Sequence, residues 1–371
     1  MLSDDVIVDL FNAGVQAVRG DIAVTTVLGT ALCPKPDQII AVGKAATAMA
    51  SAAHARFPKA PMLIVSKYGH CDGAPATAEV IEAAHPVLDE NSLRAGARIN
   101  ALVAAMEPGS HLLMLVSGGA SALAEDPETG LTLADLTARA KEMLSSGADI
   151  HAMNAARKEI SRIKGGKLLA SFMGASVTTF AISDVEGDAL EVIGSGIGAA
   201  PASAKFDFSP TIVASNAIAR EAVALHASTQ GIAVQTNTET LYDDIHVIAP
   251  KIADATKTGA SGLHLFGGEP TVILPENPGQ GGRNQALALL IAREIHGVPG
   301  LRVLVAGTDG TDGPTDAAGA IVDGTTWEPS GQKALDAADA GTWLEARGAL
   351  LKTGPTGTNV MDLVIALKSG S

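Results

Sequence analysis

The stretch LLMLVSGGASAL, residues 112–123, decides the fold class. An unbroken apolar run reads as a buried strand; it opens into a serine- and glycine-rich turn and then a short helical segment. Similar strand, glycine turn and alanine-rich helix units recur on both sides of it. Strands read at 38–42, 62–65, 111–116, 176–182, 211–214, 245–248, 263–266, 271–274, 302–305 and 362–367. Helices read at 44–57, 92–106, 132–145, 153–170, 216–230, 284–296 and 332–346. Alternation of the two in the first half predicts an α/β protein with a mostly parallel sheet and helices on both faces. In the second half, GGEP separates 263–266 from 271–274 and predicts an antiparallel hairpin-like pair, so a mixed sheet is expected there. A domain change is placed at KFDFSP, giving domains 1–205 and 206–371.

Composition bounds the function. The 371 residues suit about two domains. Hydrophobic residues make up 47% and charged residues 18%, enough apolar material for large cores and too little charge for long disordered tracts. The net charge of −14 argues against nucleic-acid and anionic-membrane partners, though a local cluster of cations still allows an anionic substrate. Cys33 and Cys71 have no metal-like spacing and make no disulfide framework, so a cytoplasmic setting is expected. The N-terminus has no basic leader region, and no apolar run reaches the length of a membrane span.

Several patterns carry possible chemistry. In 117–121, Ser117 and Ser121 flank Gly118, Gly119 and Ala120; glycines let backbone N–H groups approach a phosphate and the serines add donors. A tight turn alone would give the same glycines, but the flanking serines favour phosphate. In AVGKAATAMA, Lys44 is expected in the first turn of a helix, where it opposes the helix dipole unless an anion binds there. VLVAGTDGTDGPTDAAGAIVD, residues 303–323, empties a strand into a loop carrying Asp309, Asp312 and Asp316, which places carboxylates at the mouth of a sheet. Of these, Asp309 is nearest the strand and is expected to reach the chemistry; Asp316 is the first to give up. A lone Arg283 sits in the glycine-rich turn GQGGRNQ. Asp184 and Asp188 follow another strand and suit a metal or a cap. Arg157, Lys158, Arg162, Lys164 and Lys167 form a basic run, which ordinarily is a solvated helix face. No Walker A or kinase signature occurs, and GSGIGA at 194–199 lacks the long helix that a dinucleotide fingerprint requires.

The blocks AVGKAA, KYGH, AHPVLDENS, LVSGGASAL, MNAARKEIS with KGGKL, ISDVEGD, GGEPTV, GQGGRNQ, GTDGTDGPTDAAGAI and GPTGTNVMDL, in that order, resemble the glycerate 2-kinase family, whose C-terminal part is the MOFRL domain. The resemblance implies a larger Rossmann-like N-terminal domain, a smaller α/β MOFRL domain and an active site in the cleft between them. It also implies transfer of the γ-phosphoryl group of ATP to the 2-hydroxyl of D-glycerate, with Mg²⁺. Lys44 and Arg283 match the family's functional lysine and arginine, and 117–121 its phosphate loop. Asp309 and Asn359 match polar cleft positions, and Asn154 and Arg157 are further substrate or cleft candidates. Lys44, Arg283 and Asp309 are assigned to catalysis, and Asp184, Asp188 and Asp312 to the metal. The sequence departs from the family at Ala120, Ala286, Met361 and in 194–198, where Ile197 replaces a usual proline. Two other readings stand beside the kinase: an NAD(P)H-dependent hydroxypyruvate reductase and a non-catalytic sugar-phosphate-binding protein. The expected partners are D-glycerate and ATP, with neither nucleic acid nor membrane; the assembly state is open, a homodimer included.

Overall fold

The structure is a computed structural model that describes residues 3–30, 33–145 and 158–370. The chain divides into two compact units. The first comprises Arg19–Ser215 with Gly357–Asn359, and the second comprises Met1–Val18, Asn216–Thr356 and Val360–Ser371.

The first unit holds a six-stranded sheet built from β1 (Gln38–Val42), β2 (Met62–Lys67), β3 (Glu79–Ala83), β4 (His111–Val116), β5 (Ser176–Ile182) and β6 (Asp207–Ala214). Every pairing is parallel and the strand order is β3-β2-β1-β4-β5-β6. In β1 all residues are buried, as are all but the first of β4. That is why these strands read as continuous apolar runs rather than alternating ones. Ile40, Val42, Leu63, Val65, Leu112, Met114 and Val116 form the centre of this core. The order is the doubly wound, Rossmann type, in which connections leave β1 and β4 in opposite directions and open a crevice beyond their carboxyl ends.

The second unit holds a mixed six-stranded sheet from β7 (Val234–Glu239), β8 (Gly262–Gly268), β9 (Leu301–Gly307), β10 (Gly319–Asp323), β11 (Leu350–Leu351) and β12 (Asp362–Lys368). The order is β11-β10-β9-β12-β8-β7. Strand β12 runs antiparallel to both of its neighbours, so β8 and β9 point the same way and end beside its first residue. The helix Arg283–Glu294 buries Leu287, Ala288, Leu290 and Ile291 in this unit's core. Among the described residues, no helix is long and apolar enough to cross a membrane.

The domain division differs from the expected 1–205 and 206–371 at both ends. Residues 207–214 are the sixth strand of the first sheet, so the chain leaves that unit at Ser215. The helix Asp4–Val18 belongs with the second unit. It packs so closely on the helix Asn216–Thr229 that a Cβ on Gly14 would lie 2.6 Å from Val223 Cγ2. Residues 245–248 open the helix Ile245–Thr258, whose N-terminus is capped by Asp244 accepting from the His246 amide at 2.8 Å. The expected hairpin at 271–274 is absent: β8 pairs instead with β7 and β12, and Ile273 and Leu274 are exposed. The expected helix 153–170 is interrupted in its described part, because Gly165 and Gly166 turn with positive φ before the short helix Lys167–Ala170.

Candidate active site

In the first unit the loops after β1 and β4 are bonded to each other at the topological switch point. The Lys44 amide donates to the Gly118 carbonyl at 2.9 Å and the Ala45 amide to Ser117 Oγ at 3.1 Å. A Cβ on Gly43 would lie 2.2 Å from Ser117 Oγ, and φ there is +130°, so only glycine closes this contact. The helix begins at Ala46, which leaves Lys44 in the turn before it rather than in its first turn, half-buried. Ser117 is fully buried and its hydroxyl joins the two loops. Ser121 instead faces Ser195, the two hydroxyls 2.8 Å apart. Ser195 is buried with a positive φ of 58°, in the short turn Ile193–Gly196.

Gly118 is the centre of this arrangement. Asp184 directly follows Ser183 at the end of β5, and a Cβ on Gly118 would lie 2.2 Å from its Oδ2 and 2.8 Å from Asn359 Nδ2. His85 Nε2 and Lys44 Cγ both lie 3.2 Å from a Cβ placed on Gly119. Among the described residues, the Gly118 and Gly119 amides have no protein acceptor. Two backbone N–H groups bordered by a lysine, a histidine and a carboxylate form a polar cradle suited to a phosphate. The expected residues Lys44, Gly118, Gly119, Asp184 and Asn359 are thus brought together. Asp188 lies in a separate turn, Glu186–Asp188, with φ of 53°. Asn154 and Arg157 lie outside the described residues.

In the second unit a different set gathers where β8 and β9 end and β12 begins. Arg283 opens its helix. Its Nε donates to Asp362 Oδ2 and its Nη1 to Glu269 Oε1, each at 2.8 Å. Asn284 Nδ2 donates to Asp362 Oδ1 at 2.9 Å. Burial opposes the charge of Arg283, but Asp362 and Glu269 outweigh it and raise the guanidinium pKa above its ordinary value.

The acidic loop divides by role. Asp312 is buried and accepts the Asn284 and Gln285 amides at 3.1 and 2.8 Å, which caps the start of the Arg283 helix. Burial pushes its pKa up to about 7; the Gln285 and Asn284 amides pull against that rise, Asp362 adds to it and Arg283 offsets it. Asp309 is half-buried and accepts the Thr311 amide and hydroxyl at 3.0 and 3.1 Å. Asp316 is exposed and pairs with Lys352. Among the described residues, no group of three or more His, Cys, Asp or Glu side chains is placed to hold a metal.

Residues 6–228 match a domain of unknown function (DUF4147) and residues 262–362 match the MOFRL family. A D-glycerate 2-kinase of Thermotoga maritima is 36% identical, over 89% of this chain and 90% of its own. A crystal structure of a glycerate kinase from the same organism superposes with a TM-score of 0.89 at 32% identity, covering 98% of this chain and 99% of that one. The chain belongs to the glycerate 2-kinase family. A similar protein of Agrobacterium vitis, 34% identical over 88% of this chain and 85% of its own, carries the name "putative hydroxypyruvate reductase". Within the glycerate 2-kinase frame, sequence reasoning missed His85, Glu269, Asn284 and Asp362 as site residues. All four lie in blocks that carry the resemblance, and Glu269 had a readable signal, an acid immediately after a strand.

Proposed function

We propose that the protein transfers the γ-phosphoryl group of ATP to the 2-hydroxyl of D-glycerate, giving 2-phosphoglycerate and ADP. The observation that carries this reading is the pair of Gly118 and Gly119 amides without an acceptor among the described residues, set between Lys44 and Asp184 at the switch point of a doubly wound sheet. Phosphoryl transfer asks a protein for positioning and charge neutralisation more than for covalent chemistry. The Gly118 and Gly119 amides hold phosphate oxygens, and Lys44 neutralises charge on the transferring group. Arg283 binds an anionic group, the carboxylate of D-glycerate or the γ-phosphate, through the Nη1 and Nη2 side that Asp362 leaves open. Asp309 accepts the proton of the attacking hydroxyl.

Mg²⁺ fits this set through Asp184, because the ion uses one or two protein carboxylates and completes its shell with phosphate oxygens and water. When bound, it would neutralise charge on the phosphates. Asp312 is assigned here as a helix cap rather than a metal ligand, since both of its oxygens accept backbone amides. The reductase reading loses support at β1. The strand order is that of dinucleotide-binding folds, but the turn after β1 reads GKAATA, with Ala45 where the fingerprint needs the glycine that lets the backbone approach a pyrophosphate.

³¹P NMR of the product from D-glycerate, ATP and Mg²⁺ tests the proposal. A 2-phosphoglycerate resonance with ADP is expected. A 3-phosphoglycerate resonance overturns the regiochemistry, and hydroxypyruvate-dependent NADH oxidation without phosphorylation overturns the reaction.

A further inference from the structure

Resting on the reading of Arg283 as an anion-binding residue, we propose that Asp362 is the positioning residue that fixes its guanidinium and that Glu269 is an exchangeable partner which the anionic substrate displaces. The two carboxylates hold Arg283 at the same distance, 2.8 Å, but in different surroundings. The Asp362 side chain is 4% exposed and that of Glu269 is 49% exposed.

Asp362 is fixed from every direction the structure describes. It is the first residue of β12, set between Gly268 and Gly307 at the ends of β8 and β9. Its Oδ1 accepts Asn284 Nδ2 while its Oδ2 accepts Arg283 Nε. Its own carbonyl accepts Asn216 Nδ2 at 3.0 Å, and Asn216 is in turn held by Arg220 at 2.8 Å. An ion pair so enclosed cannot be opened without leaving a buried charge unpaired. Asp362 therefore sets the plane and direction of the guanidinium. Glu269 follows β8 with its side chain half exposed, where an ion pair contributes little and exchanges readily. A substrate carboxylate or phosphate offers Nη1 and Nη2 a two-point acceptor, which one Glu269 oxygen on Nη1 does not. Before substrate arrives, Glu269 thus occupies one of the donors that the substrate needs.

The two carboxylates should therefore give effects of opposite sign. Glu269→Gln removes the competing charge, and kcat/KM should rise roughly two- to fivefold through a lower KM, the range set by an exposed ion pair. Whether the KM for D-glycerate or for ATP moves identifies the anion. Asp362→Asn supplies only one acceptor oxygen where two donors converge, and the misdirected guanidinium should lower kcat about a hundredfold. If Asp362→Asn does not fold, Asn284→Ala takes its place, because it frees Oδ1 but leaves the ion pair, and kcat should again fall. A purely structural role predicts a lower melting temperature with kcat retained in the folded fraction. Acting through Arg283, neither change should add to the loss in an Arg283→Lys background.

An unchanged kcat in folded Asp362→Asn or Asn284→Ala, a raised KM in Glu269→Gln, or additive losses with Arg283→Lys overturns the proposal. Wild-type kcat and KM in Arg283→Lys overturns instead the assignment of Arg283, and this proposal with it. An impaired Arg283→Lys beside two unaffected carboxylate variants overturns this proposal alone.

Discussion

Lys44 and Arg283 illustrate what a single residue reveals before a structure exists. Each is a lone cation beside glycines, which the chain shows directly; Lys44 follows β1 and Arg283 opens its helix where β8 and β9 end. Alanine at either position should lower kcat about a hundredfold or more, the usual loss when a donor to developing charge is removed. Steady-state assay of the purified variants measures it, and wild-type turnover in Lys44→Ala refutes its role. Gly118 makes a steric prediction. A methyl there would lie 2.2 Å from Asp184 Oδ2, so Gly118→Ala should impair activity even in a protein that folds. A Gly118→Ala protein with full kcat/KM would show that Asp184 moves aside without consequence. Asp362 was invisible at this scale. An acid ahead of an apolar strand looks like an ordinary strand boundary, and only tertiary pairing reveals that it is buried against Arg283.

At the scale of elements, local pattern failed where tertiary contacts or caps overrode it. IHVI at 245–248 has strand composition, but Asp244 caps a helix there and the core side of that helix takes Ile245 and Ile248. VIL at 272–274 has the same composition and makes no strand, because β12 occupies the edge of β8 where a hairpin partner would pair. β3, β7 and β10 went unread: β3 and β7 carry exposed polar residues, and β10 is hidden inside the glycine-rich acidic loop. The Arg283 helix makes a pH prediction. Asp312 titrates near 7 when folded and at its ordinary, lower value when unfolded, so the folded state holds its proton more tightly. Its contribution to stability is full below pH about 4 and is lost as pH rises through about 7, on the order of 4 kcal/mol in total. Asp312→Asn cannot titrate. The stability of the wild type relative to Asp312→Asn should therefore fall between pH 4 and pH 8, read from melting temperatures at each pH. A constant difference would mean that Asp312 keeps its ordinary pKa.

At the scale of the whole molecule, the doubly wound first sheet was legible because each of its central strands is an apolar run closed by a glycine turn. The division into units was not, since it depends on which core receives the helix Asp4–Val18, and amphipathicity does not name a partner. That helix buries Ile7, Leu10, Phe11, Val15 and Val18. At ~1.5–3 kcal/mol for each side chain, their loss rivals the 5–15 kcal/mol that typically holds a domain together. Removing residues 1–18 should therefore unfold the second unit and leave the first folded. Differential scanning calorimetry of the shortened chain should show one transition lost or strongly lowered; an unaltered thermogram would return the helix to the first unit. The same arrangement sets a schedule for synthesis on the ribosome. The first unit is complete, apart from Gly357–Asn359, once Ser215 has emerged. The second takes in the helix Asp4–Val18, made ahead of the first unit, and closes with β12, a central strand of its sheet. At about 5–20 residues per second, that helix keeps its apolar face without its eventual partners for roughly ten seconds or more after the first unit can fold. A segment translated ahead of the first unit is thus buried only after that unit has been made, and it is where a nascent-chain chaperone would be needed.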